Sequence, residues 1–234
     1  MNQSHTVRSY ERELEDLRQT VADMASVVSE EVAQALRALS QRDGVAAEAL
    51  TTKDEVANAL ERDIDEKAIR MIALRHPMAG DLRVIIAALR IATDLERIGD
   101  YAKNIAKHTV SIATSGSDES VESVVEMGQQ VADMVPDAVR AFLDRDEGLA
   151  NAVRARDTAV DKRHTDLFRD LLTRVSEGSA DVTAATHLMF IARCLERLGD
   201  HATNIADHAL YLVDGTIPAD DREKADQAAY VVVS

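Results

Sequence analysis

The chain has 234 residues, with only three prolines, nine glycines, no tryptophan and one cysteine. Its formal net charge of −15 argues against a nucleic-acid partner, because phosphate backbones require a basic surface. The single cysteine, Cys194, excludes an internal disulfide framework, and no run of about 18 apolar residues is present that could span a membrane.

The composition is typical of an all-α protein. Alanine, leucine, valine, arginine, glutamate and aspartate dominate, and residues that break helices are rare. The first residues contain no apolar signal segment. We therefore expect a cytoplasmic helical protein that would reach a membrane only through a partner.

Three long helices are predicted in the first half. Apolar residues over 14–39 recur in alternating steps of three and four, which is the pattern of a bundle helix, and this helix ends at 42–44. A second helix continues to about Leu74, where the segment 76–78 interrupts it with a proline. A third is predicted over about 78–113.

The second half repeats this plan after a polar connector at 115–120. Pro136 lies inside the fourth helix and is expected to kink it. Short turns between long amphipathic helices indicate antiparallel neighbours, so we predict two three-helix bundles in tandem. The elements of this half are a fourth helix over 121–142, a turn at 145–148, a fifth helix to about Val175, a break at 176–181 and a sixth helix to about Leu212.

An internal duplication underlies this plan. The segments 91–108 and 191–208 match at twelve of eighteen positions with an offset of one hundred residues. Packing alone would favour matches at apolar positions, yet both copies keep two acids, an arginine and a glycine in the pattern LERxGD. Gly99 and Gly199 are expected to permit close helix approach. The matched acids indicate a role beyond the core.

In the first repeat, Glu96 and Asp100 are four residues apart, which places them on one helix face with Cβ atoms about 6 Å from each other. Residues equally far before and after a turn lie at the same height in a helical hairpin. With Pro77 as the pivot, Asn58 is level with Glu96, and Asp54 is level with Asp100.

The second repeat gives the same arrangement. Glu196 and Asp200 share a face, and a pivot at 178–179 places Asp161 level with Glu196 and Asp157 level with Asp200. Several carboxylates at one level repel each other unless a cation lies between them. These oxygens would suit magnesium, calcium, manganese or iron.

Two interpretations of these acids remain open at this stage. They form a metal site, or they line a solvated face and pair with basic residues. Arg97 and Arg197 follow the two glutamates directly and are expected to form interhelical salt bridges. Glu61 extends the acidic stripe of the second helix, and His164 aligns with it in the other repeat.

Polar residues further along the duplicated helices are weaker candidates. Asn104 and Asn204 lie two turns beyond the glutamates, where they could reach the carboxylates or bind neighbouring backbone. His108 and His208 are rotated by about 120° from the glutamates on an ideal helix, so we do not expect them to be ligands.

The doubled ERIGD/ERLGD pattern with a downstream NIA, together with RHPMAGDLR at 75–83, resembles the PhoU family over residues from about 8 to 213. The resemblance implies two bundles related by pseudo-twofold symmetry, with repeats at 1–114 and 121–213 and a C-terminal tail at 214–234. It also implies iron or zinc clusters, with magnesium or manganese as alternatives, at E(D)xxxD motifs. Asn58 departs from that motif. The implied metal residues are Glu96, Asp100, Asp54, Asn58, Glu196, Asp200, Asp157 and Asp161.

The same resemblance implies a cytoplasmic regulator that acts by contact and not as an enzyme. It would restrain phosphate uptake and phosphate-starvation signalling. Its implied partners are a phosphate-responsive sensor histidine kinase and the ATPase of a phosphate ABC transporter, and the implied state is a homodimer. Two alternatives from other classes are a metal-dependent phosphohydrolase that uses the same acids, and a helical scaffold without metal.

Overall fold

The computed structural model describes residues 3–52, 55–115, 121–216, 226–228 and 231. These residues form α-helices and no strand, so the predicted all-α class is confirmed. No helix among them has a stretch long and apolar enough to cross a bilayer. The helices are α1 Gln3–Gln41, α2 Gly44–Thr51, α3 Glu55–Arg75, α4 Gly80–Thr114, α5 Glu122–Ala132, α6 Met134–Asp144, α7 Glu147–Ser176 and α8 Val182–Asp214.

These helices correspond to the six that the sequence predicts. The second predicted helix comprises α2 and α3, on either side of residues 53 and 54, and the candidate ligand Asp54 therefore lies outside the described residues. In the other repeat, α7 runs without a break through the equivalent position, Asp157. The fourth predicted helix comprises α5 and α6.

The division between α5 and α6 falls at Asp133, three residues before Pro136. Proline has no backbone N–H to bond a carbonyl one turn earlier, so the hydrogen-bond ladder is interrupted there. Pro136 consequently lies in the first turn of α6, where a missing donor is tolerated. The fourth predicted helix is therefore divided next to this proline, and the kink expected there stays a prediction.

The same type of turn follows the first long helix predicted in each repeat. Arg42 and Arg145 adopt left-handed backbone conformations, with φ of 51° and 53°. The next residue in each case is an aspartate whose N–H bonds a carbonyl five residues back, at 2.9 Å from Ala38 and from Ala141. The side chains of these aspartates, Asp43 and Asp146, then cap the following helix. The duplication therefore extends to the turns.

The two bundles share a single apolar core that runs through both repeats. Helices α4 and α8 make the most extensive contact, and α1 also packs against α5 and α6. Asp94 contacts His201, whereas His108, further along α4, contacts the earlier residue His187, so α4 and α8 run antiparallel. Tyr101 and His201, which are equivalent positions of the repeat, face each other at 5.8 Å between ring centroids. The pseudo-twofold axis therefore passes near this pair.

Candidate functional site

The second repeat places its candidate acids on the facing surfaces of α7 and α8. Asp157, Asp161 and Glu196 are almost completely buried, with 5–6% of each residue exposed. Asp200 lies one turn beyond Glu196, and its side chain is 16% exposed. Asp161 and Asp200 both act electrostatically on Glu196, so these carboxylates occupy one region between the two helices.

Glu196 has an unusual protonation equilibrium. Its pKa is raised from 4.5 to about 7, chiefly by burial and next by the negative charge of Asp200, while Arg197 acts in the opposite direction. One carboxylate oxygen, Oε2, is buried and accepts no hydrogen bond from the described residues, although Nε of Arg197 forms an ion pair with it at 3.5 Å. A buried carboxylate that accepts no hydrogen bond at one oxygen is costly when ionised. A bound cation would offset this cost.

The first repeat has a similar but more open arrangement. Burial and the neighbouring Asp100 raise the pKa of Glu96, and Glu61 on α3 contributes to the same effect. Burial also raises the pKa of Glu61, and Asp100 contributes. The side chains of Glu96 and Asp100 are 23% and 42% exposed. Asn58 is half-buried on α3, and Asp54 is outside the described residues.

The arginines that follow the two glutamates pair with the acids of their own helix. Arg97 lies 3.3 Å from Glu96 and 3.7 Å from Asp100. Arg197 lies 3.5 Å from Glu196 and 3.4 Å from Asp200. Among the described residues neither arginine forms the interhelical salt bridge predicted for it, because each guanidinium pairs with the acids before and after it on its own helix. Each arginine partly neutralises its acid pair.

The two helical glycines of the LERxGD pattern admit carboxylates from neighbouring helices. A Cβ placed at Gly199 would lie 3.2 Å from Oδ1 of Asp157, and a Cβ at Gly99 would lie 3.2 Å from Oε2 of Glu31 on α1. The close approach expected of these glycines is thus an approach of acidic side chains as well as of apolar ones. Sequence reasoning missed the approach of Glu31 to Gly99.

No group of three or more His, Cys, Asp or Glu side chains stands ready to hold a metal ion within the described ranges. Binding an ion would therefore require side-chain rotation. The buried Oε2 of Glu196 fits a cation, because within the described part of the chain it accepts no hydrogen bond, has only the ion pair with Arg197 at 3.5 Å, and lies beside other acids. The metal assignment remains a prediction for Glu96, Asp100, Asn58, Glu196, Asp200, Asp157 and Asp161, and Asp54 lies outside the described residues.

The family model of the PhoU domain matches this chain twice, over residues 21–109 and 124–209. The chain belongs to the PhoU family. A relative from Xylella fastidiosa, named phosphate-specific transport system accessory protein PhoU homolog, is 40% identical over 227 residues, which cover 97% of this chain and 94% of the relative. The family resemblance read from the sequence is confirmed.

Solved PhoU structures have the same fold. PhoU from Pseudomonas aeruginosa superposes with a TM-score of 0.83 at 36% identity, covering 88% of this chain and all of that one. The phosphate transport system regulatory protein PhoU from Streptococcus pneumoniae gives a TM-score of 0.84 at 27% identity, covering 90% of this chain and 99% of that one. The two-bundle PhoU architecture is therefore confirmed.

A residue of the C-terminal tail reaches the second PhoU repeat. Oδ1 of Asp226 lies 3.1 Å from Nδ1 of His164 and accepts a hydrogen bond from the Thr165 hydroxyl at 3.3 Å. The backbone N–H of Gln227 donates to the same hydroxyl at 2.9 Å, and the N–H of Ala228 donates to Asp226. Burial raises the pKa of Asp226, but the Ala228 bond and His164 outweigh it and hold this pKa below its usual value.

Asp226 adds a further charge to the carboxylate region, because it also raises the pKa of Glu196. Sequence reasoning missed Asp226, since no periodicity links it to α7. A partial signal was present in His164, which lies three residues after Asp161 on the same helix face and aligns with Glu61 of the other repeat.

A second polar cluster joins the two PhoU repeats. Asp94 on α4 accepts from Nδ1 of His201 at 2.8 Å and from the side-chain amide of Asn204 at 3.4 Å, and Nε2 of His208 is 3.5 Å away. Burial raises the pKa of Asp94, but these histidines more than offset it and lower the pKa. Asn204 thus contributes a hydrogen bond to the contact between the two bundles. At the equivalent position, burial raises the pKa of Cys194 to about 11, so this thiol is unreactive at neutral pH.

Proposed function

We propose that this PhoU family member is an accessory regulator of phosphate transport that restrains phosphate uptake and starvation signalling when phosphate is plentiful. It does so by contacting a phosphate-responsive sensor histidine kinase and the ATPase of a phosphate ABC transporter in the cytoplasm. The support is the match of both repeats to the PhoU domain, with relatives named as accessory and regulatory proteins of phosphate transport. We also propose that the protein acts as a homodimer.

Bound metal ions are part of this proposal. The buried oxygen of Glu196, which accepts no hydrogen bond from the residues that the structure describes, and the acids around it support a cation at the second repeat. The first repeat would hold a second cation at Glu96 and Asp100, with Glu61 contributing a carboxylate. Iron or zinc are the proposed ions, with magnesium or manganese as alternatives. The ions would fix the rotation of α7 and α8 and of α3 and α4, and so shape the surface that partners contact.

Deletion of the gene tests the regulatory role. We expect phosphate-starvation genes to be expressed in high phosphate in the deletion strain, and expression to fall again when the wild-type gene is supplied. Unchanged expression after deletion would reject the regulatory assignment. Affinity capture from phosphate-rich cells should recover the kinase and the transporter ATPase, and light scattering of the purified chain should give the mass of a dimer.

Metal content provides the test of the carboxylate site. Elemental analysis of untagged protein should find transition-metal ions, and Glu196→Ala combined with Asp200→Ala should remove the share bound by the second repeat. Asp166→Ala with Asp170→Ala is the matched control, because these exposed acids on α7 have the same spacing and the same charge change. Equal metal content in the two double variants would contradict the site.

A further inference from the structure

The two repeats differ at one position that faces the carboxylates. Glu61 of the first repeat acts electrostatically with Asp100 and Glu96, so it lies at the first carboxylate region. The equivalent residue of the second repeat is His164. The duplicated architecture therefore places an imidazole where the first repeat has a carboxylate.

The surroundings of His164 support a ligand role. The residue is 1% exposed, and its Nε2 is buried without a hydrogen-bond partner among the described residues. It lies three residues beyond Asp161 on α7, and Asp226, which its ring contacts, acts electrostatically on Glu196. A buried ring nitrogen without a partner is costly, and Asp226 links this ring to the electrostatic surroundings of Glu196.

The hydrogen bond to the tail determines which ring nitrogen is available. An ionised carboxylate can only accept, so Nδ1 of His164 must be the donor to Asp226. In the neutral ring, Nε2 then carries a free lone pair. A histidine that binds a metal through one nitrogen usually donates its other N–H to a carboxylate, which fixes the ring and raises its basicity.

We propose that His164 is a nitrogen ligand of the cation site in the second repeat, and that Asp226 of the C-terminal tail is the positioning residue that orients its ring. This inference rests on the proposed metal site. The first repeat, with Glu61 at this position, offers oxygen ligands and suits hard ions such as Mg²⁺ or Mn²⁺. The second repeat combines nitrogen with oxygen and favours Zn²⁺, Co²⁺ or Fe²⁺. The two halves of one chain would then hold different ions.

Cobalt binding to the full-length, metal-stripped chain provides the test, because the visible absorption of Co²⁺ reports its ligands. We expect Asp226→Asn to weaken Co²⁺ binding at the second repeat by about 10- to 100-fold, which is the usual effect of losing the partner that orients a ligand, and His164→Gln to weaken it at least as much. Mn²⁺ binding at the first repeat should be unchanged. Glu61→Gln is the matched control and should leave the Co²⁺ spectrum of the second repeat as it is.

The outcomes separate this inference from the function on which it rests. Loss of Co²⁺ binding in Glu196→Gln with wild-type affinity and spectrum in His164→Gln would overturn the histidine ligand and leave the carboxylate site standing. A wild-type chain that binds neither Co²⁺, Zn²⁺ nor Mn²⁺ would overturn both.

A second measurement does not depend on the folding of variants. In ¹⁵N-histidine spectra of the wild-type chain, His164 should carry its proton on Nδ1 without metal, and the Nε2 resonance should shift when Zn²⁺ is added. An unchanged Nε2 resonance at saturating Zn²⁺ would contradict the proposal.

Discussion

Glu196 and Glu96 occupy equivalent positions but differ in environment. Glu196 is almost fully buried, whereas nearly a quarter of the Glu96 side chain is exposed. Burial is the largest cause of the raised pKa in both, and only Glu196 reaches a value of about 7. Near neutral pH a small change in conditions therefore alters the charge of the second repeat.

The raised pKa of Glu196 predicts how stability depends on pH without metal. Between pH 4.5 and about 7 the unfolded chain releases the proton of this carboxyl while the folded chain keeps it, so stability falls as pH rises across this range. Glu196→Gln should abolish this loss, which amounts to at most about 3 kcal/mol. Urea unfolding of both metal-free proteins at several pH values measures the difference. Parallel curves from pH 4.5 to 8 would contradict the prediction.

At the scale of the helices, the turns that end them are more restricted in backbone conformation than the helices themselves. Gly178 closes α7 with a φ of +68°, and the backbone N–H groups of Gly178 and Ser179 bond the last carbonyls of the helix. Glycine adopts this left-handed conformation without steric cost. Arg42 and Arg145 adopt it with a side chain, at some cost in stability.

Replacement of Gly178 by alanine measures the cost of the left-handed backbone conformation. A Cβ at Gly178 would meet nothing within 4 Å, so Gly178→Ala should destabilise through the backbone alone, by about 1 kcal/mol. Gly80→Ala is the control, because its Cβ is equally free and its φ is not left-handed. Alanine favours the helix there, so the control should be neutral or slightly stabilising. Thermal unfolding of the two variants measures the contrast, and equal melting temperatures would refute it.

Much of the helical framework could be read from the sequence, because amphipathic periodicity and turn residues act locally. The turn at 42–44 was anticipated for this reason, and so was a disturbance of the fourth helix at Pro136. Counting from the second hairpin turn also placed Asp161 level with Glu196, and these residues do interact. The rotation of each helix could not be read, since it depends on packing. The contact of Asp226 with α7 could not either, because it joins residues about sixty positions apart without a repeating pattern.

On the scale of the whole molecule, the antiparallel contact of α4 and α8 joins the two repeats. Its centre is polar as well as apolar, with Asp94 buried between the bundles and held by His201 and Asn204. The repeat is asymmetric here, since the counterpart of Asp94 is Cys194. A second ring pair, His108 and His187, joins the same two helices at 2.9 Å between their Nδ1 atoms.

Removal of the Asp94 carboxylate should loosen the joint between the bundles. Asp94→Ala leaves the donors of His201 and Asn204 without their acceptor in a buried place, so we expect a loss of about 2–3 kcal/mol. Because the pKa of Asp94 is lowered, its contribution is present above the usual aspartate pKa and disappears as pH falls through the folded-state value. Cys194→Ala, at the equivalent position, should cost less. Chemical unfolding at pH 7 ranks the two variants, and the reverse order would contradict this account.

Tyr101 contacts His201, which occupies the equivalent position of the other repeat, and this contact has an evolutionary consequence. A contact between identical positions is isologous, which is the geometry that two unlinked copies of one gene product adopt when they associate. Fusion of such copies into a single polypeptide frees each half from having to match the other. A substitution in one repeat, such as the exchange between glutamate and histidine at one position, then no longer changes the other repeat. Single mutations can therefore specialise one half of the protein.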